Sequence, residues 1–141
     1  MPQFPGVLDI GATNIEVAKR AIDAFNRSDV DAFAALTTAD FEWSPSMVAI
    51  EGEIFRGREG IEKYFRSLDN AWERFHILSD GFRDLADLAV MLGRLEGRGK
   101  ASGVQVVESL GMVFDFRDGE ISRIRGYLDH GEALRAAGLS E

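Results

Sequence analysis

A single acidic residue, Glu108, interrupts an apolar face of a predicted β-strand. Side chains alternate along a strand, so one face of this strand carries Glu108 together with six apolar residues, which are Val104, Val106, Leu110, Met112, Phe114 and Phe116. A carboxylate is rarely buried without a partner. Glu108 is therefore predicted to line a pocket or an interface.

The hairpin that follows this strand predicts a second acid beside Glu108. The dipeptide Asp118-Gly119 is typical of a two-residue hairpin loop, and such a loop pairs Arg117 with Glu120. Counting outward from this pair places Asp129 opposite Glu108 on the same face of the sheet.

The hairpin that precedes the strand predicts two further charged neighbours. A turn centred near Lys100 would place Leu92 opposite Glu108. Arg94 would then lie diagonally beside Glu108, with Glu96 two residues further along. The glycine-rich loop in this hairpin can shift the register by two residues or carry a bulge.

A cluster of this kind is suited to acid/base chemistry. Two carboxylates in a poorly solvated pocket cannot both ionise cheaply, so one tends to keep its proton. Asp129 is predicted to act as the acid/base and Arg94 to orient it, with Glu96 or Glu108 as the second carboxylate. In the alternative interpretation Asp129 only caps a helix, and Arg94 and Glu96 emerge into solvent.

Three helices are predicted ahead of the strands that carry this cluster. Thr13 and Glu16 have the spacing of a capping box at the start of a helix over residues 14–26. Ser28-Asp29 can cap a short second helix. The third helix follows residues 56–60 and repeats apolar side chains at helical spacing as far as Trp72.

From Phe75 onward the apolar period becomes two, which predicts strands near residues 74–83, 88–97, 103–117 and 120–128. A short strand around Phe41 precedes the third helix, and a short helix after Asp129 ends the chain. This order predicts an α+β fold in which a curved antiparallel sheet wraps around the helices and leaves a concavity for a small apolar ligand. The predicted ligand-binding residues are Trp43, Tyr64, Phe65, Leu92, Leu110 and Tyr127.

Composition excludes several classes of function. The chain has 141 residues, which predicts one domain over residues 13–141 after a loose leader, residues 1–12. A net charge of −8 argues against nucleic acid and anionic membranes as partners. With no cysteine, two histidines and no dinucleotide motif, neither a metal nor an organic cofactor is expected. A cytoplasmic protein is predicted because the first residues lack a signal sequence.

The other face of the long strand is also apolar, since it carries Val107, Gly111 and Val113. A sheet covered on both faces suggests helices on one face and a second subunit on the other, most simply a two-fold homodimer through the sheet. The alternative to an enzyme is therefore a non-catalytic ligand-binding or dimerisation module.

Four segments in combination are typical of one family. They are residues 24–29 (AFNRSD), 55–61 (FRGREGI), 114–121 (FDFRDGEI) and 127–139 (YLDHGEALRAAGL). With these segments the chain resembles, over about residues 14–139, the SnoaL-like branch of the NTF2-like superfamily. The resemblance implies a cone-shaped α+β scaffold, which hosts isomerases, cyclases, hydrolases, dehydratases and non-catalytic binders.

The resemblance also bears on individual residues. Ketosteroid isomerases of this fold have a tyrosine where this chain has Ala21 and a base aspartate where it has Ser44, so their chemistry is not expected here. Limonene-epoxide-hydrolase-like members use an Asp-Arg-Asp trio, which Arg94, Glu96 and Asp129 resemble. SnoaL-type cyclases need an acidic proton shuttle near the end of the last strand, and Asp129 is its counterpart.

Overall fold

A computed structural model of the chain describes residues 13–45 and 53–139. The predicted leader, residues 1–12, lies outside the described residues. The helices are α1 (Asn14–Asn26), α2 (Val30–Ala34), α3 (Gly57–Ala71) and α4 (His130–Ala136). The strands are β1 (Thr37–Ser44), β2 (Phe55–Arg56), β3 (Trp72–Leu85), β4 (Leu88–Gly99), β5 (Gln105–Arg117) and β6 (Glu120–Tyr127).

The first two helices begin at the predicted caps. The Thr13 hydroxyl accepts a hydrogen bond from the Glu16 backbone N–H at 3.0 Å, and the Glu16 carboxylate accepts one from the Thr13 N–H at 3.1 Å. The Asp29 carboxylate accepts a hydrogen bond from the Ala32 N–H at 3.0 Å at the start of α2. These bonds satisfy backbone donors that a helix cannot pair internally, and they confirm the capping predictions.

The six strands form one sheet in the order β2-β1-β6-β5-β4-β3. The predicted α+β class and the β3-to-β6 meander are confirmed, but the sheet is mixed, because β1 pairs with β6 in parallel. Between β1 and β6 the chain makes β2, α3 and the strands β3 to β5, and β6 then runs beside β1 in the same direction. Strand β2 was not predicted, since two residues carry too little periodicity.

The sheet has two faces of different character. Helices α1 to α3 pack on the helix-side face, whose central residues on β4 and β5 include Leu95, Leu110 and Met112. The opposite face, here called the back face, carries α4. A Cβ built at Gly111 would lie 2.5 Å from the Ala133 Cβ, so the short helix rests directly on the sheet where glycine leaves room for it.

The register between β4 and β5 differs from the predicted one. Leu95, rather than Leu92, lies opposite Glu108, and Arg94 lies opposite Ser109. The connecting turn therefore centres between residues 101 and 102 rather than near Lys100. A shift by an odd number of residues reverses the faces, so Arg94 and Glu96 lie on the back face, away from Glu108.

The β5–β6 hairpin has the predicted loop but not the predicted register further out. Asp118 and Gly119 have φ angles of 53° and 82°, as a type I′ turn requires, and Arg117 pairs with Glu120. A bulge between Asp115 and Phe116 then shifts the pairing by one residue. Strand β6 also ends at Tyr127, so the predicted pairing of Glu108 with Asp129 is wrong.

Candidate functional site

The helix-side face contains a small, partly open apolar cavity, here called the central hollow. Its volume is about 30 Å³. Four aromatic residues line it, which are Phe25, Trp43, Tyr64 and Phe75. The remaining lining residues are Pro45, Ile77, Leu95, Leu110, Met112 and Gly126. Each strand from β3 to β6 contributes at least one residue to the lining of the hollow, and α1, α3 and β1 contribute three of its four aromatic rings.

Aromatic packing sets the shape of the hollow. The Trp43 ring stacks on Phe33 at a centroid distance of 4.8 Å and meets Tyr64 edge-on at 4.7 Å. Phe25 contacts both Trp43 and Phe75 in edge-to-face geometry, at 5.9 Å and 6.0 Å. Edge-to-face and offset contacts are the favoured aromatic arrangements, so these rings hold one another in position around the cavity.

Two polar groups lie among the side chains that line the hollow, the Tyr64 hydroxyl and the Trp43 indole N–H. Tyr64 is only 4% exposed. Burial raises the pKa of its phenol well above the ordinary range, because the phenolate would be poorly solvated there. Tyr64 is a protonated hydroxyl at physiological pH, as an ordinary tyrosine also is, and can donate a hydrogen bond to an acceptor in the hollow.

Glu108 is the one member of the predicted charged cluster on the helix-side face. It lies opposite Leu95 on β4, and it is two residues beyond Leu110 on β5. Both of these neighbours line the hollow. Glu108 itself is exposed and is not among the residues that line the hollow.

Arg94 and Glu96 pair with each other on the back face. The Arg94 guanidinium lies 3.5 Å from the Glu96 carboxylate and 3.5 Å from that of Asp80, and all three side chains are exposed to solvent. The expectation that these residues share a wall with Glu108 is wrong, because the observed register places them on opposite faces.

Asp129 is exposed and caps α4. Its carboxylate accepts a hydrogen bond from the Gly131 N–H at 2.9 Å. The adjacent His130 ring nitrogen Nε2 lies 2.9 Å from the Gly93 carbonyl oxygen and ties the start of α4 to β4. The contacts of Asp129 are those of a helix cap, which was the alternative interpretation of this residue.

The predicted ligand-binding residues divide among three places. Trp43, Tyr64 and Leu110 line the central hollow. Leu92 and Tyr127 pack on the back face against the cluster that includes Ala133 and Leu134 of α4. The sheet separates both residues from the hollow. Leu92 lies on the back face because of the same β4–β5 register that places Arg94 there, and Tyr127 lies opposite Gly111 on that face.

Phe65, the sixth predicted ligand-binding residue, lines a second cavity, here called the lateral groove. This groove has a volume of about 240 Å³ and lies between the ends of α1 and α3 and the start of β3. Phe25 and Phe75 line both cavities, so these two rings separate the groove from the hollow.

Sequence reasoning missed several residues of the hollow. Phe25, Phe75, Ile77, Leu95 and Met112 line it without having been named as candidates. Met112 shares the apolar face of β5 with Leu110, so strand alternation alone was enough to find it. To place Leu95 in the hollow, the correct β4–β5 register had to be known. To place Ile77 there, its pairing with Leu95 across β3 and β4 also had to be known.

Helix α4 explains much of the apolar character of the back face. Val113 is fully buried in a cluster with Val90, Ala133 and Leu134, while Val107 remains 58% exposed. An intrachain helix, rather than a second subunit, therefore covers Gly111 and Val113. The homodimer remains a prediction.

Within residues 13–45 and 53–139, no group of three or more His, Asp or Glu side chains is arranged to hold a metal ion. In the same part of the chain, no helix combines the length and apolarity needed to cross a membrane.

Comparison with known proteins identifies the family. A family model for the SnoaL-like domain matches residues 18–124. No curated protein sequence matches the chain. An NTF2-like protein of unknown function from Burkholderia pseudomallei is similar in structure, with a TM-score of 0.74 and 18% identity over 86% of this chain and 95% of that one.

Two proposed polyketide cyclases are also similar in structure. The one from Pseudomonas putida has a TM-score of 0.74 and 22% identity, over 84% of this chain and 93% of that one. The one from Xanthomonas campestris has a TM-score of 0.73 and 20% identity, over 84% and 92%. At these identities the likeness shows the fold. The family match shows that this chain belongs to the SnoaL-like family, and the likeness to the solved structures shows an NTF2-like fold.

Proposed function

We propose that this protein binds a small, largely apolar molecule with a hydrogen-bond acceptor, such as a carbonyl oxygen, in the central hollow. The observation that carries the proposal is Tyr64, a buried phenol in a wall whose only other polar side-chain group is the Trp43 indole N–H. A phenol hydroxyl is a hydrogen-bond donor to oxygen acceptors. A ligand carbonyl would receive its hydrogen bond while the aromatic walls contact the rest of the molecule.

Ligand entry requires side chains to move. A volume of about 30 Å³ accommodates roughly one water molecule, whereas small-molecule sites span about 300–1,000 Å³. Met112 is unbranched and can adopt several rotamers. Phe75 is the half-buried member of the aromatic wall, on the edge strand of the sheet. These two side chains are expected to move when the hollow is occupied.

The test compares a bicyclic aromatic ketone, 1-tetralone, with tetralin, which has the same rings and no carbonyl. Binding is followed by the two indole N–H signals in ¹⁵N NMR spectra, because the chain has two tryptophans and Trp43 lines the hollow. We expect 1-tetralone to shift the Trp43 signal. Tyr64→Phe should weaken its binding about 5-fold, which corresponds to about 1 kcal/mol for one hydrogen bond, and leave tetralin unaffected.

Tyr127→Phe is the matched control, since Tyr127 is the other tyrosine of the chain and packs on the back face. It should leave the binding of both compounds unchanged. The proposal fails if neither compound shifts the Trp43 signal, or if Tyr64→Phe weakens both compounds equally.

A second candidate function is proton transfer on the bound ketone. Glu108 lies on the helix-side face next to Leu95 and Leu110, which line the hollow. From this position its carboxylate would act as the base on an acidic C–H next to a carbonyl polarised by Tyr64. The experiment is exchange of the 1-tetralone α-protons in D₂O, followed by NMR. Catalysed exchange that Glu108→Gln abolishes and Asp129→Asn preserves supports this function. Exchange at the rate of buffer alone leaves binding as the activity.

A further inference from the structure

The lateral groove has a chemistry unlike that of the central hollow. Aromatic rings still form its walls, including Phe65, Trp72 and Phe75, but carboxylates lie at its edge. The Trp72 and Phe75 rings are 5.2 Å apart and tilted by 46°. Aromatic faces attract organic cations through their quadrupoles, most strongly in the case of tryptophan.

Two helices direct their carboxyl ends toward this groove. Phe25 and Asn26 end α1, while Leu68 and Asp69 belong to the last turn of α3, and all four line the groove. The carboxyl end of a helix carries partial negative charge and favours a cation. Neither helix has a basic residue in its last turn.

One ammonium group already sits at the end of α3. The Lys100 Nζ donates a hydrogen bond to the Asp69 backbone carbonyl at 2.6 Å. Lys100 is not among the residues that line the groove. The carbonyl end of α3 therefore accepts an ammonium ion just outside the cavity.

The carboxylates of Asp69 and Glu73 add full negative charges to the lining. Within the described residues, neither side chain takes part in an ion pair. Arg74 also contributes to the lining, but it alternates with Phe75 along β3 and lies opposite Arg98, which places it on the back-face side of the strand. The lining as a whole carries two carboxylates and one guanidinium, which gives it a net formal charge of −1.

We propose that the lateral groove is a binding site for a small organic ammonium ion, held by the Trp72 and Phe75 rings, the carboxyl ends of α1 and α3, and the carboxylates of Asp69 and Glu73. Its volume of about 240 Å³ suits a compact cation with alkyl substituents. Asn26 does not bind the cation, because its side-chain amide is engaged with the Ile77 backbone through bonds of 2.8 and 2.9 Å.

The test uses choline and its neutral isostere 3,3-dimethylbutan-1-ol, which have nearly the same shape and differ in charge. Trp72 lines the groove and Trp43 lines the hollow, so the two indole signals in ¹⁵N NMR spectra report on the two cavities separately. Choline should shift the Trp72 signal with a dissociation constant in the millimolar range. The alcohol should bind at least about 10-fold more weakly, equivalent to about 1.4 kcal/mol.

Variants identify the groups responsible. Asp69→Asn/Glu73→Gln should weaken choline binding about 10-fold. Glu59→Gln/Asp84→Asn removes the same charge from two exposed residues outside the groove and should change the affinity by less than about 2-fold. Because the groove is separate from the hollow, Tyr64→Phe should leave choline binding unchanged, whatever becomes of the ketone site.

Three results would overturn the proposal. The first is equal binding of choline and the alcohol, which would mean that charge plays no part. The second is equal weakening by the two double variants, which would reduce the effect to the overall charge of the protein. The third is an unmoved Trp72 signal at choline concentrations of about 100 mM, a hundred times a millimolar dissociation constant.

Discussion

The two faces of the sheet use the same strands for different purposes. On the helix-side face, Leu110, Met112 and Phe114 are buried against aromatic residues of the helices. On the back face, Asp115 of the same strand forms ion pairs with Arg123 and Arg125 at 2.9 and 3.2 Å. These ion pairs lie where the three helices do not cover the sheet. On the helix-side face the one charged residue of the predicted cluster, Glu108, is exposed, whereas Leu110, Met112 and Phe114 are buried.

The back face is covered by less structure. Its helix, α4, has seven residues, whereas α1 and α3 have 13 and 15. Its apolar cluster has four buried residues, and two of them, Ala133 and Leu134, belong to α4. We therefore expect the stability of the fold to depend more on the helix-side core than on the back-face cluster.

The largest expected effect is in the helix-side core. Phe33 is 2% exposed and stacks on Trp43, so Phe33→Ala should lower the free energy of unfolding by about 3–5 kcal/mol. Leu134→Ala on the back face should cost about 2 kcal/mol, the low end for a buried leucine. Urea denaturation of both variants measures the difference. Equal losses would mean that α4 contributes as much to stability as the helix-side aromatic cluster.

A smaller loss is expected where α4 touches the sheet. Gly111→Ala places a Cβ against Ala133 and should cost about 1–3 kcal/mol through overpacking. Gly81→Ala is the control, because a Cβ there meets no atom within 4 Å, and its effect should stay within about 0.5 kcal/mol. Hydrogen exchange in α4 should rise in Gly111→Ala alone. Unchanged exchange would contradict the close contact between helix and sheet.

Alkaline pH should distinguish the hollow from the solvent-exposed surface. Burial raises the pKa of Tyr64 in the folded protein, so above about pH 10 the unfolded chain loses this proton while the folded chain keeps it. Stability should therefore fall as pH rises, by at most about 1.4 kcal/mol per pH unit from this group. Urea denaturation at about pH 9 to 11 should show a steeper fall for the native chain than for Tyr64→Phe. Parallel curves would place Tyr64 in contact with water.

The smallest effect is expected at Asp129. As the N-cap of α4, it should tolerate Asn, which also caps helices well, while Asp129→Ala should cost about 0.5–1 kcal/mol. Thermal unfolding of the two variants measures this difference. A large loss in Asp129→Asn would reveal a role for the negative charge that capping does not explain.

Local features were predictable because their causes lie within a few residues. The capping box of Thr13 and Glu16, the Asp29 cap and the Asp118-Gly119 turn each depend on neighbouring side chains and backbone angles, and all three are observed. The placement of Glu108 on the apolar face of β5 follows from alternation alone. The family resemblance was predictable because it rests on four short sequence segments, each of which is recognised from neighbouring residues alone.

The sequence by itself determined the α+β class, the main helices and strands and the apolar face of β5, because periodicity of 3.6 or 2 encodes which side of an element faces the core. Only the tertiary structure decided which charged residues meet. The observed β4–β5 register differs from the predicted one by an odd number of residues, which places Arg94 and Glu96 on the back face. The bulge beside Asp115 shifts the β5–β6 pairing, and Asp129 is a helix cap. Register errors reverse whole faces, and a glycine-rich turn does not specify its own length.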